Sequence, residues 1–403
     1  MAATEAFSRR LSAAVRGLSG AWYGRHMAAA DRAIRSRIPL VDLVLEVRDA
    51  RVWCPTALQL LSCLPLLQTE SSIVSLMRLL ILTPQVPAAS AFAPLHRRSP
   101  EPDRRRLVVL NKADLADPSE TEKWMAYTKQ TSCSCVALNS HSREGIKELL
   151  NAVRARIREI KLGESDCTGT VLLVGIPNVG KSAIVNAMHQ IGRIGAAEKG
   201  KLKHAIVSSH PGETRDISGY KVASHPNIYV LDTPGVLSPV FFNDESGPLL
   251  ALTGAIKDSM LQEFEIAQFL LAILNSREEC KEWENLNQVG DMSSFSRVMS
   301  SSTLHNKRQY ASDHTQDFVV KAVRQVLFDS ISSFKGHLGN ENELKSLIEC
   351  QFIALQEALR VSAELSENVH KLVAMKLLNL YRTGRLGRYT LDCTPDVRKE
   401  IVS

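Results

Sequence analysis

Apolar positions along the chain follow two patterns, one after the other. In the first part, short runs rich in β-branched residues occupy residues 41–47, 107–110, 135–138, 170–175 and 228–232. Such runs are typical of buried parallel strands. Several end in a segment rich in Gly, Asn or Asp, which is where ligands bind in open α/β sheets. From Leu249 onward apolar residues recur at helical spacing with no further strand-like alternation. The pattern predicts an α/β domain followed by an all-α domain.

The expected boundaries are residues 21–258 for the α/β domain and 259–403 for the all-α domain. A polar, Ser-rich stretch at about residues 275–316 is interpreted as a flexible linker. A crossover between parallel strands needs about a dozen residues, yet about 55 separate Asp49-Ala50-Arg51, just after the first run, from the second run. The segment of about residues 54–104 is therefore interpreted as an insertion, and no motif within it indicates a function.

The first twenty residues carry Arg9, Arg10 and Arg16 against a single acid, Glu5, and are otherwise rich in Ala and Ser. This composition is typical of an organelle transit peptide. On a helix, four apolar residues would form one stripe: Phe7, Leu11, Val15 and Leu18. The alternative is an ordinary amphipathic first helix of the folded protein.

Composition narrows the class of protein. The 403 residues are 44% hydrophobic and 23% charged with a net charge of +6, which favours a globular protein with a polyanionic partner such as RNA. The eight cysteines are scattered without a CxxC pair, so neither a zinc site nor a disulfide framework is predicted. No apolar run reaches the roughly 18 residues that span a bilayer. We expect a soluble protein of a reducing compartment.

The segment GIPNVGKS, residues 175–182, follows a predicted strand and precedes a predicted helix. This is the context of a P-loop, whose glycines allow backbone N–H groups to surround phosphates at a helix N-terminus. Lys181 is expected to contact the β- and γ-phosphates, and Ser182 to coordinate Mg²⁺.

NKAD, residues 111–114, ends another apolar strand. Asp114 can accept hydrogen bonds from the guanine N1–H and exocyclic amine, while Asn111 supports the loop and Lys112 packs over the ring. Asn139 and Ser140, after a third strand, are candidates for contacts to the guanine edge through their backbone amides. The four-residue motif alone also occurs as a plain helix start, but the P-loop strengthens the prediction of a GTP site.

DTPG, residues 232–235, follows a further strand. Asp232 is expected to hold the Mg²⁺ shell through water, and the Gly235 amide to meet the γ-phosphate. Thr214, within PGETRD, is the second candidate hydroxyl for Mg²⁺; a simple Pro-Gly turn is the alternative there. The predicted metal set is Ser182, Thr214 and Asp232. The predicted nucleotide contacts are Asn111, Lys112, Asp114, Asn139, Ser140, Asn178, Val179, Gly180, Lys181, Ser182, Ala183 and Gly235.

The motifs stand in a cyclically shifted order, since the guanine motif precedes the P-loop. Together with Asp49-Ala50-Arg51 and residues 21–34 (AWYGRHMAAADRAI), this order resembles the circularly permuted GTPases that assist assembly of the large ribosomal subunit, and the branch of plant mitochondrial DAR GTPases in particular. The resemblance implies a permuted Ras-like P-loop GTPase domain with a helical C-terminal domain. It also implies binding to the large subunit and its rRNA, and a mitochondrial location with the chloroplast as alternative. We expect a monomer.

The resemblance also bears on catalysis, for which the predicted residues are Lys181, Asn178 and Thr214. Ras-like enzymes place a water-orienting Gln directly after the DxxG motif, but this chain has Val236 there, so intrinsic hydrolysis should be slow. Asn178 resembles the residue that helps bind a K⁺ ion in related GTPases; the alternative is an ordinary loop Asn.

Two basic segments are candidates for RNA contact. Residues 371–392 carry five cations with Tyr381 and Tyr389 interleaved, and residues 191–204 add Arg193, Lys199, Lys201 and Lys203. Charged runs are also commonly just solvated faces. Two other functions remain open, a placeholder that binds rRNA and GTP without turnover, and a GTPase of tRNA modification or ion transport. The second is disfavoured because the chain has neither membrane spans nor an associated enzymatic domain.

Overall fold

The computed structural model describes residues 2–18, 23–52, 105–130, 134–161, 168–196, 205, 207, 212, 214, 216–237, 246–277, 314–362 and 368–391. The chain divides into two compact units. The sheet unit comprises Val15–Met260 and Arg388–Ser403, and the helical unit comprises Met1–Ala14 and Leu261–Gly387. The predicted insertion of 54–104 and most of the predicted linker, 278–313, lie outside the described residues.

A six-stranded sheet in the order β3-β2-β1-β4-β6-β5 forms the centre of the sheet unit. Its strands are β1 Leu43–Asp49, β2 Arg106–Asn111, β3 Ser134–Ala137, β4 Thr168–Val174, β5 Ser218–Ser224 and β6 Asn227–Asp232. Strands β3, β2, β1, β4 and β6 are mutually parallel. All residues of β1 and β2 are buried, as the continuous apolar runs predict for parallel strands covered on both faces. The α/β prediction is confirmed.

One strand of the sheet was not predicted from the sequence. β5 pairs antiparallel with β6 at the sheet edge, with an irregularity between Lys221 and Ala223. It contains Gly219 and alternates buried with more exposed positions instead of forming a continuous apolar run. That alternation is typical of an antiparallel strand with one solvated face, so the expectation of uniformly parallel strands is corrected here.

The described residues of the sheet unit include the helices α2 Arg25–Arg37, α3 Pro118–Gln130, α4 Arg143–Ile160, α5 Lys181–Ala196 and α6 Ser246–Leu252. α4 shows why these segments are helical. Its buried residues recur three or four positions apart from Ile146 to Ile157, and the Ser142 side chain caps it by accepting from the Gly145 amide. α2 packs through Ala30 and Ile34 against β1 and β4 in a cluster that also contains Val236.

Two adjacent strands share a buried group of charges. Glu46 and Arg48 stand two positions apart on one face of β1, and Arg106 begins β2 beside them. Glu46 pairs with both arginines, at 2.9 Å for Arg48, and none of the three side chains is more than 7% exposed. Removal of one partner from such a cluster leaves an uncompensated buried charge.

The helical unit contains α1 Ala2–Gly17 up to Ala14, α7 Glu263–Ser276, α8 His314–Ser333, α9 Glu341–Ala358 and α10 Val369–Arg382. Its described residues form helices and connecting turns, as the helical spacing predicts. α7 packs on α10 and also on α9, where the side-chain amides of Asn275 and Gln351 exchange two hydrogen bonds in the buried core. Asn275 therefore belongs to α7, and residues 314–316 begin α8, although both were assigned to the linker.

The predicted N-terminal stripe is present on α1. Phe7, Leu11 and Val15 are each at most 3% exposed, and Arg10 lies 3.5 Å from Glu341 of α9. In the described parts of the chain, no helix is long and apolar enough to cross a membrane.

Candidate functional site

The predicted motifs lie at one edge of the sheet. NKAD begins at the last residue of β2, Asn139 and Ser140 follow β3, GIPNVGKS follows β4, and DTPG begins at the last residue of β6. Because these strands are parallel, their carboxyl ends meet at the same edge.

The turn between β4 and α5 has the backbone that a P-loop requires. Gly175 and Gly180 have φ values of 156° and 95°. A Cβ on Gly175 would lie 2.4 Å from the Val47 carbonyl oxygen, and one on Gly180 would lie 2.2 Å from the Asn111 side-chain nitrogen. Larger residues are therefore excluded at both positions, while α5 begins at Lys181 and directs its first N–H groups at the loop.

Lys181 is folded back onto the loop. Its ammonium donates to the carbonyl oxygens of Gly175, at 3.1 Å, and Ile176, at 2.9 Å. Burial lowers the pKa of Lys181 from 10.5 to about 8, and the nearby Asp232 carboxylate partly opposes this shift. When a nucleotide binds, this buried amine can exchange the two carbonyl oxygens for phosphate oxygens.

The three predicted metal ligands are adjacent. The Ser182 hydroxyl donates to Oδ2 of Asp232 at 2.7 Å and lies 3.2 Å from the Thr214 hydroxyl. Burial raises the pKa of Asp232, while Ser182 and Lys181 oppose the shift. Within the described residues, Oδ1 of Asp232 is buried without a hydrogen-bond partner. Two hydroxyls and a carboxylate with an unsatisfied buried oxygen are an all-oxygen set of the kind that Mg²⁺ takes.

Asn111 connects three of the predicted segments. Its side-chain nitrogen donates to the Val179 carbonyl oxygen at 2.8 Å, and its side-chain oxygen accepts from the Ser140 amide at 3.0 Å. The neighbouring Asn139 side chain accepts from the His141 amide within its own turn. NKAD, the P-loop and the Asn139-Ser140 turn therefore form one site.

Lys112 contacts both the P-loop and the Asp49-Ala50-Arg51 segment. Its ammonium donates to the Asn178 carbonyl oxygen at 2.7 Å and to Asp49 at 2.9 Å. Of the non-glycine residues in the described chain, Lys112 and Asn178 are two of three with positive φ, near 60°. Such backbone commonly clusters at functional sites.

Asp49 is buried between Lys112 and Arg51. The Arg51 guanidinium donates to both carboxylate oxygens at 2.9 and 2.8 Å. Burial opposes ionisation of Asp49, but the ion pairs with Arg51 and Lys112 outweigh it and hold the pKa of this carboxyl well below its usual value. No structural role was predicted from the sequence for the Asp49-Ala50-Arg51 segment. The sequence does indicate such an ion pair, because an Asp that ends a buried strand beside a basic residue needs a charged partner.

The remaining predicted residues surround these contacts. Asp114 is exposed, so its carboxylate is accessible to a base. Gly235 is so close to the P-loop that a Cβ would lie 2.6 Å from Cα of Pro177. Ala183 follows Ser182 in the first turn of α5. The side-chain nitrogen of Asn178 donates to the Gly254 carbonyl oxygen at 2.7 Å, which fixes the orientation of that amide.

The position after DTPG is filled by a core residue. Val236 is 3% exposed, and its amide donates to the Gly175 carbonyl oxygen at 3.4 Å. Its side chain packs with Ala30 and Ile34 of α2. It points into an apolar cluster and has no group that could orient water.

One of the two basic segments differs from expectation. Tyr381 and Tyr389 are 3% and 4% exposed, so the expectation that they stack on bases is wrong. They lie at apolar positions of the fold, while Lys371, Arg385 and Arg388 are exposed. In the other segment, the side chains of Arg193, Lys199, Lys201 and Lys203 lie outside the described residues.

Comparison with known proteins gives a consistent result. A family model described as "50S ribosome-binding GTPase" matches residues 170–307. "DAR GTPase 2, mitochondrial" from Arabidopsis thaliana is 48% identical over 92% of this chain and 90% of its own length. "Short integuments 2, mitochondrial" from the same plant is 37% identical over 94% of this chain and 90% of its own. "Ribosome biogenesis GTPase A" of Bacillus cereus is 31% identical over 66% of this chain and 76% of its own.

Proposed function

The chain belongs to the family of circularly permuted ribosome-biogenesis GTPases, and we propose that it acts as a GTP-hydrolysing assembly factor for the large subunit of the mitochondrial ribosome. The observation that carries the proposal is the position of Asn111, which bridges the P-loop and the Ser140 turn. Three segments in permuted order thereby form one guanine nucleotide site. The names of the curated relatives supply the ribosomal context.

Guanine recognition is assigned to the side of the site formed by NKAD. Asp114 accepts from the N1–H and the exocyclic amine of the base, a donor pair that adenine lacks. Lys112 covers the ring and stays fixed by Asp49 and the Asn178 carbonyl oxygen. Asn139 and Ser140 approach the base edge from the neighbouring turn.

Phosphate binding is assigned to the P-loop and the first turn of α5. Lys181 exchanges its two carbonyl acceptors for β- and γ-phosphate oxygens, whose negative charge favours the protonated amine. Backbone amides of residues 178–183 surround the phosphates, and the Gly235 amide meets the γ-phosphate. Ser182 and Thr214 would hold Mg²⁺ directly and Asp232 through water; when bound, the ion neutralises charge on the β- and γ-phosphates.

Slow intrinsic hydrolysis follows from the packing of Val236. A buried Val cannot orient or polarise the attacking water, so γ-phosphate charge must be offset by another group. We assign a K⁺ ion to that role, with Asn178 as a ligand held in orientation by its bond to Gly254. Binding to a ribosomal particle would stimulate turnover further.

Contact with rRNA is assigned to the exposed cations of α10 and the residues that follow it. Lys371 lies 3.5 Å from Glu263, and Lys376 donates to the Leu359 carbonyl oxygen. Arg382, half-buried at the last residue of α10, and Arg385, exposed just beyond it, are the main candidates for phosphate contacts. Because the nearby tyrosines are buried, this surface would bind the RNA backbone and not stacked bases.

A mitochondrial location is assigned from the names of the relatives, with the chloroplast as alternative. Residues 1–20 are the proposed targeting segment. The burial of Phe7, Leu11 and Val15 instead favours an α1 that remains part of the folded protein. The N-terminal sequence of protein isolated from the organelle separates the two: a start beyond residue 20 supports a cleaved transit peptide, and a retained α1 supports the structural helix.

Turnover distinguishes an assembly GTPase from a placeholder. GTP hydrolysis by the full chain is measured in KCl and in NaCl, each with and without large-subunit particles. Faster turnover with particles supports the assembly factor, and equal rates favour the placeholder. Equal rates in the two salts would remove the K⁺ assignment alone.

A further inference from the structure

The chain returns to the sheet unit after α10 and ends its described part beside the guanine motif. Residues 388–391, here called the C-terminal strap, make three hydrogen bonds there. The Tyr389 amide donates to the Leu115 carbonyl oxygen at 3.2 Å, and the Leu391 amide donates to the Arg51 carbonyl oxygen at 2.8 Å. The Thr390 hydroxyl accepts from the Asp117 amide at 3.1 Å.

Burial shows that the strap is held in place. Tyr389 and Thr390 are each 4% exposed, although Arg388 before them is exposed. Loss of the contact would take from the Asp117 amide the acceptor that it has in this partly buried pair, at a cost in free energy. The Thr390–Asp117 contact is thus a specific attachment, made across 273 positions of sequence.

One end of the attachment supports the turn that carries Asp114. Leu115 directly follows Asp114, and both belong to the 3-10 turn Ala113–Leu115. Asp117 directly precedes α3, and its side chain accepts from the Glu120 amide in the first turn of that helix at 3.0 Å. The strap therefore holds the two residues through which the guanine loop continues into the next helix.

The other end supports Lys112. Arg51, whose carbonyl oxygen accepts from Leu391, binds Asp49 through its guanidinium, and Asp49 accepts from Lys112. In addition, the Ala50 amide donates to the Asn111 carbonyl oxygen at 2.9 Å. The strap thus touches both supports of the guanine motif, the turn after it and the acid-base pair beside it.

We propose that the C-terminal strap is a positioning element for guanine recognition, with Thr390 as its key side chain, so that docking of the strap and binding of guanine strengthen each other. The inference rests on the proposed role of Asp114 in contacting the base. If the strap leaves, Leu115 and Asp117 lose partners and the Asp114 carboxylate is no longer held in one place. Coupling between two bound elements is reciprocal, so guanine also stabilises the docked strap.

The coupling gives the helical unit a covalent route to the base, because α10 leads directly into the strap. A partner that displaces α10 would weaken guanine binding and promote release of the nucleotide. This route ends at the side of the site that is proposed to bind guanine.

The test replaces Thr390 with Val, which keeps the shape and removes the acceptor for the Asp117 amide. The matched control is Thr128→Val, since Thr128 is 1% exposed in the same unit and its hydroxyl donates to the Trp124 carbonyl oxygen within α3. Both full-length variants are titrated with GDP and with inosine diphosphate, which lacks the exocyclic amine that Asp114 binds.

A positioning role predicts that Thr390→Val weakens GDP binding about fivefold and inosine diphosphate binding less, so that the preference for GDP falls. Thr128→Val should leave the preference unchanged. Equal weakening of both ligands, or no weakening, in Thr390→Val would overturn the inference, because a merely structural contact cannot alter the ratio.

A second measurement uses the wild type and does not depend on a folded variant. Hydrogen exchange of the Tyr389 and Leu391 amides should slow at least threefold when GDP binds, and unchanged exchange contradicts the coupling. Asp114→Asn separates this inference from the proposed function. If that variant binds xanthosine nucleotides more tightly, but the GDP preference of Thr390→Val and the hydrogen exchange of the strap do not change as expected, the guanine site is supported and the strap inference is contradicted. If Asp114→Asn does not bind xanthosine nucleotides more tightly, both the guanine site and the strap inference are contradicted.

Discussion

The side-chain amide of Asn111 donates to the carbonyl oxygen of Val179 across 68 positions of sequence. The guanine motif that contains Asn111 comes first in the chain, and the P-loop that contains Val179 comes later. The sheet order β2-β1-β4 nevertheless places both at the same edge. Permutation changes the order in which the strands occur along the chain and leaves the contacts between their ends intact.

Replacement of Asp114 with Asn should move nucleotide preference from GTP towards xanthosine triphosphate. The Asn amide donates where the carboxylate accepts, which suits the 2-oxo group of xanthine. Affinities for both triphosphates are measured with purified protein, and Asp258→Asn, in the 3-10 turn before the helical unit, is the control. Unchanged preference in Asp114→Asn would show that the base is bound elsewhere.

Replacement of Ser182 with Ala should abolish the dependence of GTP binding on Mg²⁺. The change removes one proposed metal ligand and the bond to Asp232, while no apolar core residue is altered. GTP titrations with and without Mg²⁺ test this, and Ser36→Ala, whose exposed hydroxyl bonds to the Ala33 carbonyl oxygen in α2, is the control. Mg²⁺ dependence equal to that of the wild type would remove Ser182 from the metal site.

Glu46→Ala should destabilise the sheet unit by about 3–5 kcal/mol, because it leaves Arg48 and Arg106 buried without their shared carboxylate. The free energy of unfolding in urea is the measurement. Glu159→Ala breaks an exposed pair with Arg156 and should change stability by less than about 1 kcal/mol. Similar losses in the two variants would mean that the buried cluster contributes no more than a surface pair.

Much of the fold could be predicted from local patterns. The runs that became β1, β2, β3, β4 and β6 are apolar because both faces of these strands are covered. β1 lies two residues further along than predicted, since the 3-10 turn Ile38–Leu40 places Val41 before the strand. β5 was missed because its alternation and its glycine make a weak local signal.

The site was predictable to the extent that its chemistry is local. Gly175, Gly180 and Lys181 act within one turn, so their spacing alone indicates a phosphate site. The burial of Tyr389 and the attachment of Thr390 to Asp117 depend on segments far apart in sequence. No local pattern encodes such contacts, and interleaved tyrosines and arginines therefore indicated a stacking surface that the fold does not form.

Replacement of Arg382 and Arg385 with Ala should flatten the salt dependence of rRNA binding. Each phosphate contact releases condensed counterions, so the slope of log affinity against log salt should fall by about two units. The control is the double variant Arg143→Ala and Lys147→Ala, which removes the same charge from an exposed face of α4. Matching slopes for wild type and Arg382/Arg385 variant would make this part of α10 a solvated face.

Sedimentation with large-subunit particles tests the central claim most directly. Tagged full-length chain is mixed with particles from mitochondria in the presence of a non-hydrolysable GTP analogue or GDP, and centrifuged through a gradient. The account predicts that the wild type migrates with the large-subunit particle when the analogue is bound and is released with GDP, and that Ser182→Ala loses this difference. Wild-type protein that stays at the top of the gradient with both nucleotides would contradict the assignment as a large-subunit assembly GTPase.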